Sequence, residues 1–268
     1  MNDIVSYVSR ELGGAPTGLT VAYLIVGLLI VIMSVVCLVL EIRVWMCYSK
    51  ANRRGISTNM TGIESARYVL DRAGLTQVKV REAGFLREKI FGNYYNVATR
   101  TIYLRSWLGK IDNRKTVTST ALGVQKAAIA RLCEEGDVEA RTRGKLSLLG
   151  IFGPLLFIPV ILIGMIIDVL VMNDITIISY VCMAFSGILL AAGFIATWLN
   201  IPVEKRANKL ALEMMREYGL ATEEELQMMA EVYDAYILSY IAQFILEVLR
   251  VVQWVLEIII KMQTSKND

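Results

Sequence analysis

Three long stretches of the chain carry no charge. The first lies between Glu11 and Glu41 and contains "LTVAYLIVGLLIVIMSVVCLVL" from Leu19 to Leu40; the others run from Leu146 to Ile167 and from Ile175 to Val203. A helix rises about 1.5 Å per residue, so about 20 apolar residues cross the hydrocarbon core of a bilayer. The pattern predicts transmembrane helices over 19–41, 146–171 and 175–201. The first is too long for a signal-peptide core and has neither a basic start nor a small-residue cleavage site, so it is expected to stay as an anchor.

Between the spans the pattern shortens. "ANRRGISTNM" (51–60) reads as a linker. "TGIESARYVLDRAGL" opens with Thr61 and Glu64 at capping-box spacing and closes on Gly74, which predicts a helix. "VKVRE" and "RTIYLRS" alternate as short strands, with "FGNYYN" as turn material before the second. A helix is expected from Asn113 to about Glu135, after which "RTRGK" leads into the second span. "VEKRANKLALEMMREYGL" predicts a helix ending at Gly219, and "ATEEELQMMAEVYDAY" another with acidic residues in its first turn, where the helix dipole favours them.

The run from Tyr236 to Met262 is long enough to span, yet polar groups recur in it. Gln243, Glu247, Arg250, Gln253, Glu257 and Lys261 fall at three- and four-residue spacing and so share one helical face. Charges inside a bilayer are costly, about 2.5–3.5 kcal/mol each on insertion scales. The stripe therefore predicts a contact surface, toward the bundle interior or another subunit. A helix lying in the membrane plane and a pore lining are the alternatives.

Composition narrows the class. Of 268 residues, 55% are apolar, and their clustering excludes a simple soluble fold. Between Ile42 and Ser147 basic residues outnumber acidic ones 20 to 9, although the whole chain carries only +3. Basic loops stay in the cytoplasm, so residues 1–18 are expected to form a short extracytoplasmic N-terminus and 42–145 a cytoplasmic domain. The hairpin tip near Asp174 is then outside, and 202–235 returns to complete the cytoplasmic domain. Membrane proximity accounts for the spread-out basic charge, so no nucleic-acid partner is expected. The fold class expected is mainly α, a polytopic membrane protein with three to four transmembrane helices and a cytoplasmic α+β domain.

The four cysteines are scattered and form no CxxC pair, and the chain contains no histidine. That absence removes the usual base for serine or cysteine catalysis and the commonest zinc ligand. Cys133, Glu134, Glu135, Asp137 and Glu139 contain donor atoms, but in sequence they read as a solvated acidic helix end.

Several segments together resemble the neutral membrane zinc metallopeptidases of the YugP-like family. They are "TGIESARYVLDRAGLTQVKV", "YYNVATRTIYLRS", "ALGVQKAAIA", "IPVEKRANKLAL", "YGLATEEELQ" and "AEVYDAYILSYIAQ", in the family's order from about residue 56 to 245. The resemblance implies a metallopeptidase-like cytoplasmic domain. It also implies a helical HExxH signature after "ALGV", where two histidines on one helical face hold zinc and the glutamate serves as general base. Laid onto this chain, the first ligand falls at Ala127, the base at Ala128 and the second ligand at Arg131. Tyr94, Tyr95 and Asn96 replace the family's histidine-tyrosine-aspartate. Glu204, in "PVE", stands where the resemblance implies a carboxylate ligand.

The expectation is a degenerate member with no catalytic residue, no metal and no cofactor. Arg131 is expected to fill the vacated position and pair with Glu204, because a buried carboxylate that has lost its cation needs another. Such a chain would be a structural, regulatory or binding subunit in the cell membrane. Its partners would be the membrane itself, further copies, an active paralogue, a membrane scaffold protein, or a peptide or protein client. An active peptidase with unusual ligands and a pore or transport component are the competing classes.

Overall fold

The structure, a computed structural model, describes residues 2–105, 114–172 and 177–264. Among these residues, eight helices and three short strands follow in the order α1 (Asn2–Glu11), α2 (Thr17–Arg53), α3 (Gly62–Arg72), β1 (Lys79–Ala83), α4 (Phe85–Phe91), β2 (Tyr94–Asn96), β3 (Thr101–Arg105), α5 (Val117–Glu134), α6 (Val138–Met172), α7 (Ile177–Glu217) and α8 (Glu223–Thr264). The protein is mainly helical with one small sheet, and it divides into two compact units. One holds the described residues up to Met46 and from Ala235 onward; the other is Cys47–Asp234.

In the first unit α2 and the C-terminal half of α8 run antiparallel. Cys37, Ala242 and Leu246 form a small buried cluster with Ile30, Met33 and Leu40 around it. The Tyr23 hydroxyl donates to Glu257 Oε1 at 2.9 Å, and the Ser239 hydroxyl to Glu41 Oε1 at 3.1 Å. Gln243 also donates to Glu41, and Gln253 reaches the Tyr23 hydroxyl. Part of the expected contact stripe is thus used within the chain, against α2. Glu247 and Arg250 stay exposed, and the Lys261 side chain lies outside the described residues.

The second unit is built around α5. From Val117 to Ala130 every residue of that helix is buried. Small residues permit close approach: a Cβ on Gly123 would collide with the Gly62 backbone, and the Gly62 N–H donates to Ser119 Oγ at 3.1 Å. α3 is therefore laid directly on α5. Its capping box is present as read, with Thr61 and Glu64 each satisfying the other's backbone N–H, and Gly74 follows the helix end at φ +73°.

The sheet has the order β1-β3-β2, with β1 parallel and β2 antiparallel to β3. Here the sequence reading needs correcting, because "FGNYYN" is not turn material. Tyr94–Asn96 is a strand paired with Thr101–Tyr103, and α4 precedes it. Stacking of Tyr94 on Tyr103, with ring centroids 5.2 Å apart, gives these three residues enough cross-strand contact to pair.

α6 and α7 pack as an antiparallel hairpin. Gly153 lies against the Leu189 carbonyl and Gly193, and Gly164 against Cys182. Asp168, buried in α6, accepts the Ser179 N–H at 2.7 Å and so satisfies the first turn of α7. The hairpin tip at Asp174 and the expected helix start at Asn113 lie outside the described residues. α7 runs unbroken through Pro202, and α8 joins two predicted helices into one of 42 residues. Among the described residues, α2 (Thr17–Arg53) and the Val181–Glu217 stretch of α7 are long and apolar enough to cross a membrane, and Leu155–Val171 is a shorter apolar stretch of α6. Large side chains on them such as Leu28, Leu38, Leu155, Ile163, Phe185 and Trp198 are exposed.

Candidate functional site

Three of the sequence-nominated positions lie on α5, and the structure separates them. Ala127 and Ala128 are fully buried in the main apolar cluster, which also contains Tyr95, Ile102, Val203 and Ala207. Arg131 is near the helix end, where Nε meets Glu135 Oε1 at 2.7 Å. That short charge-assisted contact holds its guanidinium above the ordinary arginine range.

The expected pairing of Arg131 with Glu204 is therefore corrected, and the reason is geometric. Glu204 on α7 lies level with Gln125 and Lys126, and Arg131 is five residues farther on, about 7.5 Å along the axis. Arg131 instead has a carboxylate one turn ahead on its own helix.

Glu204 does have the cations that its burial requires. Arg143 Nη2 from α6 approaches Oε1 at 2.6 Å, and Lys126 Nζ from α5 approaches the same oxygen at 3.4 Å. Gln125 Nε2 donates to Oε2 at 2.8 Å and to Asn208 Oδ1 at 2.6 Å. Arg143 Nε donates in addition to Asn200 Oδ1. Gln125, Lys126, Glu204 and Asn208 are all buried. Burial pushes the Lys126 ammonium below the ordinary lysine range, with Glu204 acting in the opposite sense. Tyr233, also buried, donates its hydroxyl to the Ala121 carbonyl at 2.5 Å. Desolvation, and secondarily Glu204, push that phenol upward. None of Gln125, Lys126 or Arg143 was nominated from sequence. A basic residue immediately before a motif position was the available signal.

The tyrosines at the sheet have structural partners. Tyr95 is buried and donates to Glu134 Oε1 at 3.0 Å, and Glu134 in turn meets Arg100 at 3.4 Å. Tyr94 lies between Phe91 and Tyr103, and the Asn96 side chain accepts the Thr99 N–H at 3.0 Å.

The acidic residues after the motif are also accounted for. Asp137 accepts the Ala140 N–H at the start of α6, and Arg206 bridges Asp137 and Glu139 at 3.2 and 2.8 Å. Cys133 is buried, and desolvation pushes its thiol up to about 11. Among the described residues no group of three or more His, Cys, Asp or Glu side chains is placed to hold a metal ion.

The residues at the expected zinc position do not fit zinc. Ala127 and Ala128 have no donor atom, and Arg131 is a permanent cation. The Glu204 carboxylate, which reaches the motif helix from α7, already has both oxygens engaged, by two cations and an amide. What this arrangement can do is tie α5, α6 and α7 together through one carboxylate. Polar links of this kind, fully satisfied, give a core a defined register.

A family model described as "putative neutral zinc metallopeptidase" matches residues 26–259. No curated protein and no solved structure matches the chain. The match runs from α2 into the C-terminal half of α8 and takes in both the motif helix and Glu204. The chain belongs to that zinc metallopeptidase family.

Proposed function

We propose that the chain is a catalytically inactive member of its family that serves as a structural, regulatory or binding subunit of a membrane complex. The observation that carries this reading is the replacement of the entire HExxH set by Ala127, Ala128 and Arg131. The occupation of Glu204 by Lys126 and Arg143 supports it. Zinc hydrolysis needs a metal-bound water and a base to deprotonate it, and neither alanine supplies a ligand or a base. What remains is a folded peptidase-like domain that holds its shape through a buried ion cluster.

In this reading the chain is a multi-pass protein of the cell membrane. α2, α6 and α7 span, and the polar stripe of α8 packs on α2 along a fourth crossing. The N-terminus lies outside and residues 42–145 lie in the cytoplasm, a reading supported by the basic excess of that segment. Glu247 and Arg250, exposed beside the residues that α2 engages, are the part of the stripe left for another subunit. The partner class is a histidine-bearing paralogue or a membrane scaffold protein.

Purification of the full chain from its native membrane in mild detergent, after cross-linking, tests the proposal. The expected result is stoichiometric recovery of a second membrane protein, with recovery reduced at least fivefold by Glu247→Ala/Arg250→Ala. Recovery of the chain alone, as a monomer, would contradict the subunit role.

A further inference from the structure

The cluster around Glu204 holds two cations against one carboxylate, all from different helices. Lys126 comes from α5, Arg143 from α6 and Glu204 from α7. The carboxylate is the hub, because Oε1 receives both cations and Oε2 receives Gln125. Asn200 and Asn208, one helical turn to either side of Glu204, hold the outer ends of the network through Arg143 and Gln125. Each charged side chain in this cluster therefore has a partner of opposite charge.

We propose that Lys126 and Arg143 form a fixed cationic clamp that replaces a metal ion as the counter-charge of Glu204. The clamp also bars a divalent cation from that carboxylate even when the missing ligands are restored. This rests on reading the α5 site as a disabled metal centre. Loss of the ligands alone would leave Glu204 buried without a counter-ion, a strongly destabilised arrangement. Removing the metal was thus compatible with folding because cations of the chain took over its electrostatic role. A divalent ion approaching Glu204 would meet two positive charges within hydrogen-bonding reach of the same oxygen, and like charges repel strongly where water is excluded. Neither clamp residue occupies a motif position: Lys126 precedes Ala127, and Arg143 comes from α6. Restoring histidines at 127 and 131 would leave the clamp in place.

The test uses the full chain in detergent, with zinc alone as the probe. One variant carries Ala127→His, Ala128→Glu and Arg131→His; a second adds Lys126→Ala and Arg143→Ala. Zinc affinity is measured by competition with a chromogenic chelator. The proposal expects the second variant to bind zinc at least tenfold more tightly than the first. Equal affinities, whether both tight or both undetectable, would overturn it.

The five-site variant strains a tightly packed core, so a second measurement stands beside the first. Glu204→Gln is compared in the native chain and in a Lys126→Met/Arg143→Met background by thermal unfolding. The clamp predicts a large drop in Tm in the native chain and a drop less than half as large in the second background. Equal drops would show that the charges do not act on one another and would overturn the clamp. Neither measurement reads hydrolysis, so the clamp can fail while the subunit reading stands.

Discussion

Arg131 and Glu204 do not pair, and substitution should affect them very differently. Arg131 pairs with Glu135, whose side chain is 54% exposed, and pairs of that kind contribute about 0–1 kcal/mol. Arg131→Ala is therefore expected to lower stability by less than about 1 kcal/mol in denaturant unfolding. Glu204→Ala leaves the buried Lys126 and the partly buried Arg143 without a counter-charge, a loss of about 3–5 kcal/mol. If the two substitutions cost the same, the assignment of partners is wrong. The cysteines offer a chemical check at the same scale. Cys133 is buried and its thiol is pushed up to about 11, whereas Cys47 is only half-buried. The thiolate is the reactive form, so brief alkylation of the native protein at pH 8 should modify Cys47 and spare Cys133. Mass spectrometry of the peptides reads the outcome, and rapid modification of Cys133 would show that the end of α5 is open.

At the scale of elements, two further joints help hold the second unit together. The first is the crossing of α3 on α5, where Gly123 faces the Gly62 backbone. Gly123→Ala forces the helices apart and is expected to cost about 1–3 kcal/mol, measured by the shift in unfolding midpoint. The second joint is Glu225 at the start of α8, which accepts the Ser57 N–H, the Ser57 hydroxyl and the Thr222 N–H at 2.7, 2.8 and 2.7 Å. Burial pushes its carboxyl up, but the donors from Thr222 and Ser57 outweigh burial and hold it below the ordinary range. A carboxylate depressed on folding adds stability that is complete above its unfolded value of about 4.3. That stability is lost as pH falls through the folded value. The Tm should thus fall from about pH 5 downward, and Glu225→Gln should flatten that fall. A pH profile unchanged by the substitution would remove Glu225 from the account.

The elements also show what could be read beforehand. The caps at Thr61, Gly74 and Gly219 and the strands at 79–83 and 101–105 were visible as local chemistry. β2 was not, because three residues give too short an alternation and its stability comes from Tyr94 on Tyr103. The continuity of α7 through Pro202 was hidden for a similar reason: packing overrides the local break that proline suggests. At the site, the lack of donor atoms at Ala127 and Ala128 was legible, as was the need of Glu204 for a cation. The cation itself was not. Arginine at a former ligand position looked the better candidate, and only the level of α7 along α5 selects Lys126 and Arg143 instead.

For the whole molecule, a chain without histidine belongs to a zinc metallopeptidase family. The buried cluster explains how the domain keeps its fold, and the basic segment and apolar helices place it at a membrane in our reading. The central claim is that this chain neither holds zinc nor hydrolyses peptides. The most direct measurement is the zinc content of the full chain purified in mild detergent from zinc-supplemented cells, paired with hydrolysis of an unfolded protein substrate. The account predicts far less than one zinc per chain and no cleavage above that of a Glu204→Gln control. One tightly held zinc per chain, with cleavage abolished by a chelator and restored by zinc, would contradict it.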